Sequence, residues 1–200
     1  SYDRYHENSK RIYRVIEEVR LEGVGEESSS MPFPTGETLP LEYPEVIEES
    51  VRFFNFQLPT VTVEYGTDES KRYNESRFFF ADAAVFRVFD FEFILGDPNT
   101  ALSAPNTIVI TQSMANKYFG TEQPLGKTLR WQSALDLEIT GIVKDVPTNS
   151  HFYFDFLGSF ETLKQMYRGN LPQGWYWNPC WTYILLKEGA SAQALQSRLA

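Results

Sequence analysis

The 200-residue sequence contains only one cysteine, Cys180, and two histidines, His6 and His151. A single cysteine excludes an intramolecular disulfide, so the chain is not a small scaffold held by disulfides. Neither histidine has a second ligand at a spacing typical of a metal site, and no His-x-x-His or Cys-x-x-Cys pair occurs. We therefore predict structural roles for the histidines, and we expect no metal and no cofactor.

Long apolar runs are also missing. The longest runs, such as residues 78–81 and 183–186, are far shorter than the roughly 20 residues that a membrane-spanning helix needs. No signal peptide is visible at Ser1. The sequence is typical of a globular domain separated from its neighbouring segments.

Positive charge is scarce, because 18 Lys and Arg residues stand against 27 Asp and Glu residues. The formal net charge of −9 repels phosphate backbones and anionic lipid headgroups, so no nucleic-acid partner is expected. Hydrophobic residues make up 42% of the chain and charged residues 22%, which is ordinary for a folded domain. A chain of this length buries roughly 70% of the surface that its unfolded form exposes.

Sequence signatures of catalysis are absent or incomplete. The segment Gly126-Lys127-Thr128 resembles the end of a phosphate-binding loop, but the glycine needed five residues earlier is replaced by Thr121. The segment also follows a predicted helix and precedes a predicted strand, which is the reverse of the required order. No Gly-x-Ser-x-Gly motif occurs, and Cys180 lacks a nucleophile signature. We interpret Lys127 as a solvated side chain in a turn and assign no catalytic residue.

Aromatic residues make up 16% of the chain, which favours a β-rich core. We predict that Phe86, Phe89 and Phe91 lie mainly in that core. The densest aromatic cluster is Gly174-Trp175-Tyr176-Trp177-Asn178. Packing over the core is the favoured interpretation of this cluster, and stacking on a sugar or a protein partner is the alternative.

Periodicity and turn residues predict the order of the elements. Residues 12–21 fit a strand or a helix, while the clearer strands are residues 45–56, 60–65, 71–80, 107–110, 137–143 and 181–186. The pair 60–65 and 71–80 is expected to form a hairpin. Helices are predicted at residues 35–42, in the first half of 83–93, at 111–119 and from 191 onward. Thr35 and Thr111 are the predicted N-caps, and Gly120 is the predicted residue with positive φ after a helix.

Several segments together resemble the MacB-like periplasmic core domain of FtsX-like ABC-transporter permeases. In chain order they are Tyr2-Asp3-Arg4-Tyr5-His6-Glu7-Asn8, Arg11-Ile12-Tyr13-Arg14-Val15, Tyr43-Pro44-Glu45-Val46, Phe80-Ala81-Asp82, Val88-Phe89-Asp90-Phe91, Gly96-Asp97-Pro98, Ala101-Leu102, Val109-Ile110-Thr111, Lys117-Tyr118-Phe119-Gly120, Pro124-Leu125-Gly126-Lys127-Thr128-Leu129, Thr140-Gly141-Ile142-Val143-Lys144-Asp145-Val146-Pro147, Asn149-Ser150-His151-Phe152, Phe154-Asp155-Phe156 and Thr182-Tyr183 to Gly189-Ala190. No single segment is specific, but their order and spacing together cover nearly the whole chain.

The resemblance implies a mixed α+β fold with two lobes. One is a porter-like β-α-β/β-α lobe, split between residues 1–56 and 176–200 and truncated at its C-terminal end. The other is a β-rich lobe inserted at residues 57–175. Residues 12–20 should then be a strand, and residues 181–186 should join the sheet that contains 12–20 and 46–56. One edge of that sheet should be left without a partner strand.

The resemblance also implies a function. The domain would lie on the periplasmic side of the cell inner membrane, would not be an enzyme, and would transmit ATP-driven conformational change to a substrate or envelope partner. The implied partners are a separate or fused ABC ATPase, a second permease copy in a dimer, and an envelope adaptor protein. The alternative is a stand-alone carbohydrate- or ligand-binding module that uses the aromatic residues 175–181.

Overall fold

The computed structural model describes residues 8–21, 24–67, 71–147, 150 and 152–199, with the backbone alone between residues 19 and 26. The described strands are β1 (Ile12–Arg14), β2 (Glu17–Leu21), β3 (Val24–Ser28), β4 (Ile47–Phe54), β5 (Val61–Glu64), β6 (Arg72–Glu75), β7 (Phe78–Ala81), β8 (Phe93–Gly96), β9 (Thr107–Thr111), β10 (Thr128–Trp131), β11 (Leu135–Val143), β12 (Phe156–Ser159) and β13 (Cys180–Leu186). The described helices are α1 (Thr35–Glu42), α2 (Val85–Val88), α3 (Gln112–Phe119), α4 (Phe160–Met166) and α5 (Ala192–Leu199). His6 and His151 lie outside the described residues, so their predicted structural roles stay predictions.

Eleven strands form one mixed sheet, in the order β1-β13-β4-β7-β12-β9-β11-β10-β5-β6, and β8 pairs with β11. Two of its pairs, β7 with β12 and β9 with β11, are parallel, and the others are antiparallel. The strands β2 and β3 form a separate antiparallel hairpin.

The middle of the sheet is buried on both faces. In β9, Ile108 and Ile110 contribute to one hydrophobic cluster, while Val109 contributes to the cluster on the other face. Phe53 and Phe54 of β4 are divided between the two clusters in the same way. Because successive side chains of a strand point to opposite faces, burial on both sides needs a continuous apolar run. This explains why residues 107–110 were recognisable as a buried strand.

The predicted position of β13 is confirmed. This strand pairs with β1 on one side and with β4 on the other, so the strands nearest the two ends of the described chain lie in one sheet. From β4 the sheet continues into β7 through only two register pairs, Phe53 with Ala81 and Phe54 with Phe80. The lobe boundaries at residues 56/57 and 175/176 stay a prediction.

The prediction of one strand over residues 12–20 is wrong. The chain leaves the large sheet after Val15, whose backbone N–H donates to Thr182, and Ile16 is exposed. Strand β2 then pairs with β3 instead. The reason is competition for β13, because Cys180 pairs with Phe54 on one side and is bridged by Met31 on the other. Met31 thus takes the position that a longer β1 would need.

The predicted hairpin is confirmed for β5 and β6, but the prediction that its second strand continues to residue 80 is wrong. The chain breaks at Ser76-Arg77, and β7 leaves to pair with β4 and β12. Arg77 fixes this break. Its carbonyl accepts from the backbone N–H of Asp155, and its side chain donates to the Asp155 carboxylate at 2.8 Å.

The helix positions are confirmed, and so is Thr111 as the N-cap residue of α3, but the prediction of Thr35 as the N-cap of α1 is wrong. Thr35 is the first residue of α1, Pro34 stands at the cap position, and the buried Thr35 hydroxyl has no hydrogen-bond partner among the described residues. Thr111 stands at the cap of α3, yet its hydroxyl makes no cap bond. Instead, Asp145 accepts from the Ser113 backbone N–H at 2.9 Å.

The end of α3 is as predicted, because Gly120 has φ of 61° and its N–H donates to Asn116. Helix α4 was not predicted. Ser159 caps it by accepting from the Glu161 backbone N–H at 3.2 Å.

The three phenylalanines predicted in the core belong to one aromatic cluster. Phe89 is 3% exposed, while Phe86 and Phe91 are half-buried against the same hydrophobic core. The ring of Phe89 lies 5.4 Å from that of Tyr183, and the ring of Phe91 lies 5.0 Å from that of Phe154. These contacts join the segment after α2 to β13 and to the chain before β12.

We expect Phe89→Ala to lower the free energy of unfolding by about 3–5 kcal/mol, because it leaves a cavity beside Tyr183. Phe86→Ala is the matched control and should cost less, since its ring is only partly buried. Urea unfolding of both variants measures the difference. A loss below about 1 kcal/mol for Phe89→Ala would contradict its place in the core.

Candidate functional site

Strand β13 connects two ends of the molecule. Its seven residues span about 23 Å at roughly 3.3 Å per residue. At one end, Ile12 pairs with Leu185, and the Leu186 backbone N–H donates to the Arg11 carbonyl. The chain therefore enters β1 and leaves β13 at the same end, which we call the chain-end pole.

The opposite end of β13 is the distal pole. Here Cys180 exchanges backbone hydrogen bonds with Met31 on one side and pairs with Phe54 on the other. The hairpin β2–β3 also lies at this pole, since β1 runs along β13 toward it and β3 ends three residues before Met31.

An exposed aromatic loop, residues 174–178, enters β13 at the distal pole. The side chains of Trp175, Tyr176 and Trp177 are 55%, 103% and 43% exposed. The favoured prediction, packing over the core, is therefore wrong for Trp175 and Tyr176. No periodic pattern distinguishes the two outcomes, because the cluster lies in irregular structure between α4 and β13.

Trp177 anchors the aromatic loop to the core. Its ring meets those of Phe33 and Phe54 edge to face, with centroids 5.4 and 6.4 Å apart. One residue further along, Asn178 donates from Nδ2 to the Glu17 carboxylate of β2 at 2.8 Å. The loop is thus fixed on one side to the hydrophobic core and on the other to the hairpin.

Arg52, in the middle of β4, holds the supporting residues in place. Its side chain donates to Asp82 through Nε and Nη2, both at 2.9 Å, and to the Phe33 carbonyl through Nη1 at 2.9 Å. Glu37 lies 3.1 Å from Nη1, and the guanidinium lies 4.2 Å from the Phe160 ring centroid. One buried cation therefore connects β4, the segment before α1, the segment after β7 and α4.

Burial alone would lower the pKa of Arg52, but the charge and hydrogen bonds of Asp82 outweigh it and leave the pKa above its ordinary value. The guanidinium stays charged throughout the accessible pH range. Burial also raises the pKa of the nearby Cys180 thiol to about 12. A neutral, enclosed thiol is a poor nucleophile, which agrees with the absence of a nucleophile signature at Cys180.

The segment of the incomplete phosphate-binding motif is a turn between α3 and β10, as predicted. Lys127 lines an open cleft together with Tyr65, Gly66 and Arg130. Its ammonium group donates to Glu122 and to the Tyr65 hydroxyl, and the Glu122 hydrogen bond raises the pKa of Lys127. The lysine is thus already engaged by a carboxylate, and no helix follows the turn to bind a phosphate.

Within the described ranges, no group of three or more His, Cys, Asp or Glu side chains could hold a metal ion. None of the helices described has both the length and the apolar character that crossing a membrane requires.

The profile of the MacB-like periplasmic core domain family matches residues 1–200. The chain belongs to this family. No curated protein sequence matches the chain. As a MacB-like periplasmic core domain, it is a periplasmic domain of an ABC-transporter permease, and no similarity favours a stand-alone ligand-binding module.

Solved structures share the fold of this MacB-like domain. A permease domain from Porphyromonas gingivalis is similar with a TM-score of 0.75 and 24% identity, over 97% of this chain and 80% of that one. The periplasmic region of MacB from Actinobacillus actinomycetemcomitans gives 0.67 and 13%, over 94% and 80%. The extracellular domain of the noncanonic ABC-type transporter YknZ from Gram-positive bacteria gives 0.57 and 16%, over 93% and 86%. The expected α+β fold is confirmed.

We expect Arg52→Met to lower the free energy of unfolding of the MacB-like domain by about 3 kcal/mol or more, since it leaves the Asp82 carboxylate without its cation. Arg130→Met is the control, because Arg130 is exposed and should change stability by less than about 1 kcal/mol. Urea unfolding measures both. Equal small losses would show that the Arg52 contacts do not hold the distal pole together.

We also expect the MacB-like domain to bind no nucleotide. Calorimetry with ATP and Mg²⁺ should give no binding heat, because Lys127 is paired with Glu122 and no phosphate-binding helix follows. Micromolar affinity that disappears in Lys127→Ala would contradict this prediction.

Proposed function

We propose that this domain carries out no bond chemistry and transmits ATP-driven conformational change to a protein partner or substrate in the envelope. The observation that carries the proposal is the arrangement along β13. The chain enters and leaves the sheet at the chain-end pole, while the aromatic loop and the β2–β3 hairpin lie at the distal pole. A movement imposed at the chain-end pole would thus be transmitted to the distal pole.

The path between the poles is stiff, which supports transmission. Strand β13 is hydrogen-bonded on both sides, and its residues 182–186 are buried. Close-packed interiors have low compressibility and transmit displacement. Arg52, opposite Thr182 in the register, fixes the neighbouring strand to three other segments. A push at Leu186 is therefore passed on to Cys180 instead of being absorbed by local bending.

The partners follow from the proposed mechanism. An ABC ATPase, separate or fused, would supply the free energy, and a second permease copy would supply the surface against which the domain moves. Shifting a two-state equilibrium from 1:99 to 99:1 requires about 5.5 kcal/mol of differential binding. An envelope adaptor protein would receive the movement. The domain itself would remain in the periplasm, next to the inner membrane.

The non-enzymatic part of the proposal is supported by the state of the candidate reactive groups. Cys180 is buried with a raised pKa, and Lys127 is engaged by Glu122. The exposed aromatic loop contains no Lys, Arg, His, Asp, Glu or Cys.

The division into two lobes, residues 1–56 with 176–200 and residues 57–175, belongs to the same proposal. What supports it is that β4 and β7 are joined through only two register pairs, whereas β13 is paired with β4 along its whole length. The Arg52–Asp82 ion pair spans the same junction and would limit rotation between the lobes.

The proposal can be tested in the permease that contains this domain, reconstituted with its ATPase. Once the cysteines outside this domain are replaced, the buried Cys180 thiol should resist labelling, so Gln173→Cys at the distal pole and Lys187→Cys at the chain-end pole should accept spin labels selectively. We expect ATP to change the distance between the two Gln173→Cys labels of a dimer more than that between the Lys187→Cys labels. An unchanged distance during ATP hydrolysis would contradict transmission through this domain.

A further inference from the structure

We propose that the aromatic loop and the adjoining end of the β2–β3 hairpin form a docking surface for a polypeptide segment of a protein partner, one that carries Lys or Arg beside apolar side chains. This inference rests on the proposed function and names the chemistry of the partner that the distal pole engages. It is carried by two independent features, an exposed aromatic cluster and the negative charge beside it.

The first feature is the continuity of the exposed apolar surface. The other large apolar side chains that the structure exposes are scattered along the chain, and they are Tyr13, Ile16, Leu41, Leu58, Ile94, Met166 and Leu199. Trp175, Tyr176 and Trp177 are consecutive. Single exposed apolar residues are ordinary, whereas a contiguous patch marks an interaction site. Trp and Tyr are also the side chains most enriched where proteins bind one another.

The exposed cluster is also held in place by its neighbours. Trp177 has its ring edge against Phe33 and Phe54, and Asn178 is hydrogen-bonded to Glu17. These two anchors fix the backbone on either side of the exposed rings. A partner would therefore meet a surface that is already ordered, so less conformational entropy is lost on binding.

Charge selects the kind of partner. Glu17 touches the base of the aromatic loop, while Glu18 and Glu27 lie opposite each other in the register of β2 and β3, both exposed, on the other face of the thin hairpin. The sequence from Gly169 to Trp181 contains no Lys, Arg, Asp or Glu. The sign of the charge beside the aromatic loop is therefore determined by the hairpin. The whole chain adds to it with a net charge of −9. Indole faces also attract ammonium and guanidinium groups.

These features together favour a basic polypeptide over the other possible occupants. A neutral sugar would use the aromatic rings and could donate hydroxyl hydrogen bonds to a carboxylate, but it has no positive charge to complement the negative one. A nucleic acid would be repelled by them. A segment with cationic and apolar side chains satisfies both features at once, and complementary charge would speed its association.

The test uses the 200-residue chain and an amphipathic peptide of Lys and Leu, about five helical turns or 18 residues long. A Glu/Leu peptide of equal length and cellohexaose are the comparison probes. We expect the Lys/Leu peptide to bind in calorimetry and to lose at least about tenfold in affinity with Trp175→Ala/Tyr176→Ala. Glu17→Gln/Glu27→Gln should weaken it and reduce the salt dependence of binding. The Gln side chain at 17 keeps an acceptor for Asn178.

The matched control is Leu41→Ala/Met166→Ala, which removes exposed apolar side chains elsewhere and should leave the affinity unchanged. All variants should keep the urea midpoint of the parent chain, which separates loss of docking from loss of folding. Four results would overturn the inference: no binding of the Lys/Leu peptide, equal binding of the Glu/Leu peptide, preferential binding of cellohexaose, or equal weakening by the control.

The failure of this inference is distinguishable from failure of the proposed function. The peptide assay needs neither ATP nor membrane, and the distance measurement needs no peptide. If the labels move with ATP but the Lys/Leu peptide does not bind, transmission stands and the docking surface is wrong. If the peptide binds but the labels do not move, the docking surface stands and transmission is wrong.

Discussion

The buried guanidinium of Arg52 is the interaction on which the distal half of the molecule depends. A cation that is almost fully removed from water must find partners for its fixed set of donors, and here they come from Asp82, Glu37 and the Phe33 carbonyl. The Phe33 carbonyl and Glu37 lie at the start of α1, and Asp82 follows β7. Satisfying one side chain therefore fixes these two distant segments against β4, and it places the Phe33 ring where Trp177 rests on it.

Strand β13 connects the distal pole, which Arg52 holds together, with the chain-end pole. Its central position between β1 and β4 brings the entry and exit of the chain to one end and leaves the aromatic loop at the other. The same strand carries side chains of two hydrophobic clusters on its opposite faces, so it is held by packing as well as by hydrogen bonds. The proposed transmission depends on this connection between the chain-end pole and the distal pole.

The sequence predicted those elements whose signal is local. Continuous burial on two faces marks β9, and the positive φ of Gly120 marks the end of α3. The sequence did not predict that the strand expected at residues 12–20 is divided into β1 and β2. That division depends on Met31, which pairs with Cys180 from a distant part of the chain. The Arg52–Asp82 pair joins residues 30 positions apart with no pattern between them, and the exposure of Trp175 depends on which side of the fold its loop lies. Resemblance to a family gave the architecture, but local patterns alone did not locate the candidate site.

The pairing of β1 with β13 also has a consequence for biosynthesis. Arg11 donates to the carbonyl of Leu186, a residue 175 positions later, so the first strand has no sheet partner until nearly all of these residues have been made. Pairing between such distant segments is slow, because the entropy of closing a long loop is lost before the contacts that stabilise the pair can form. During that interval β1 is an unpaired edge, and its polar neighbours Lys10, Arg11 and Arg14 discourage association with other chains. Among the described strands, the one synthesised earliest is thus among the last to gain its sheet partner.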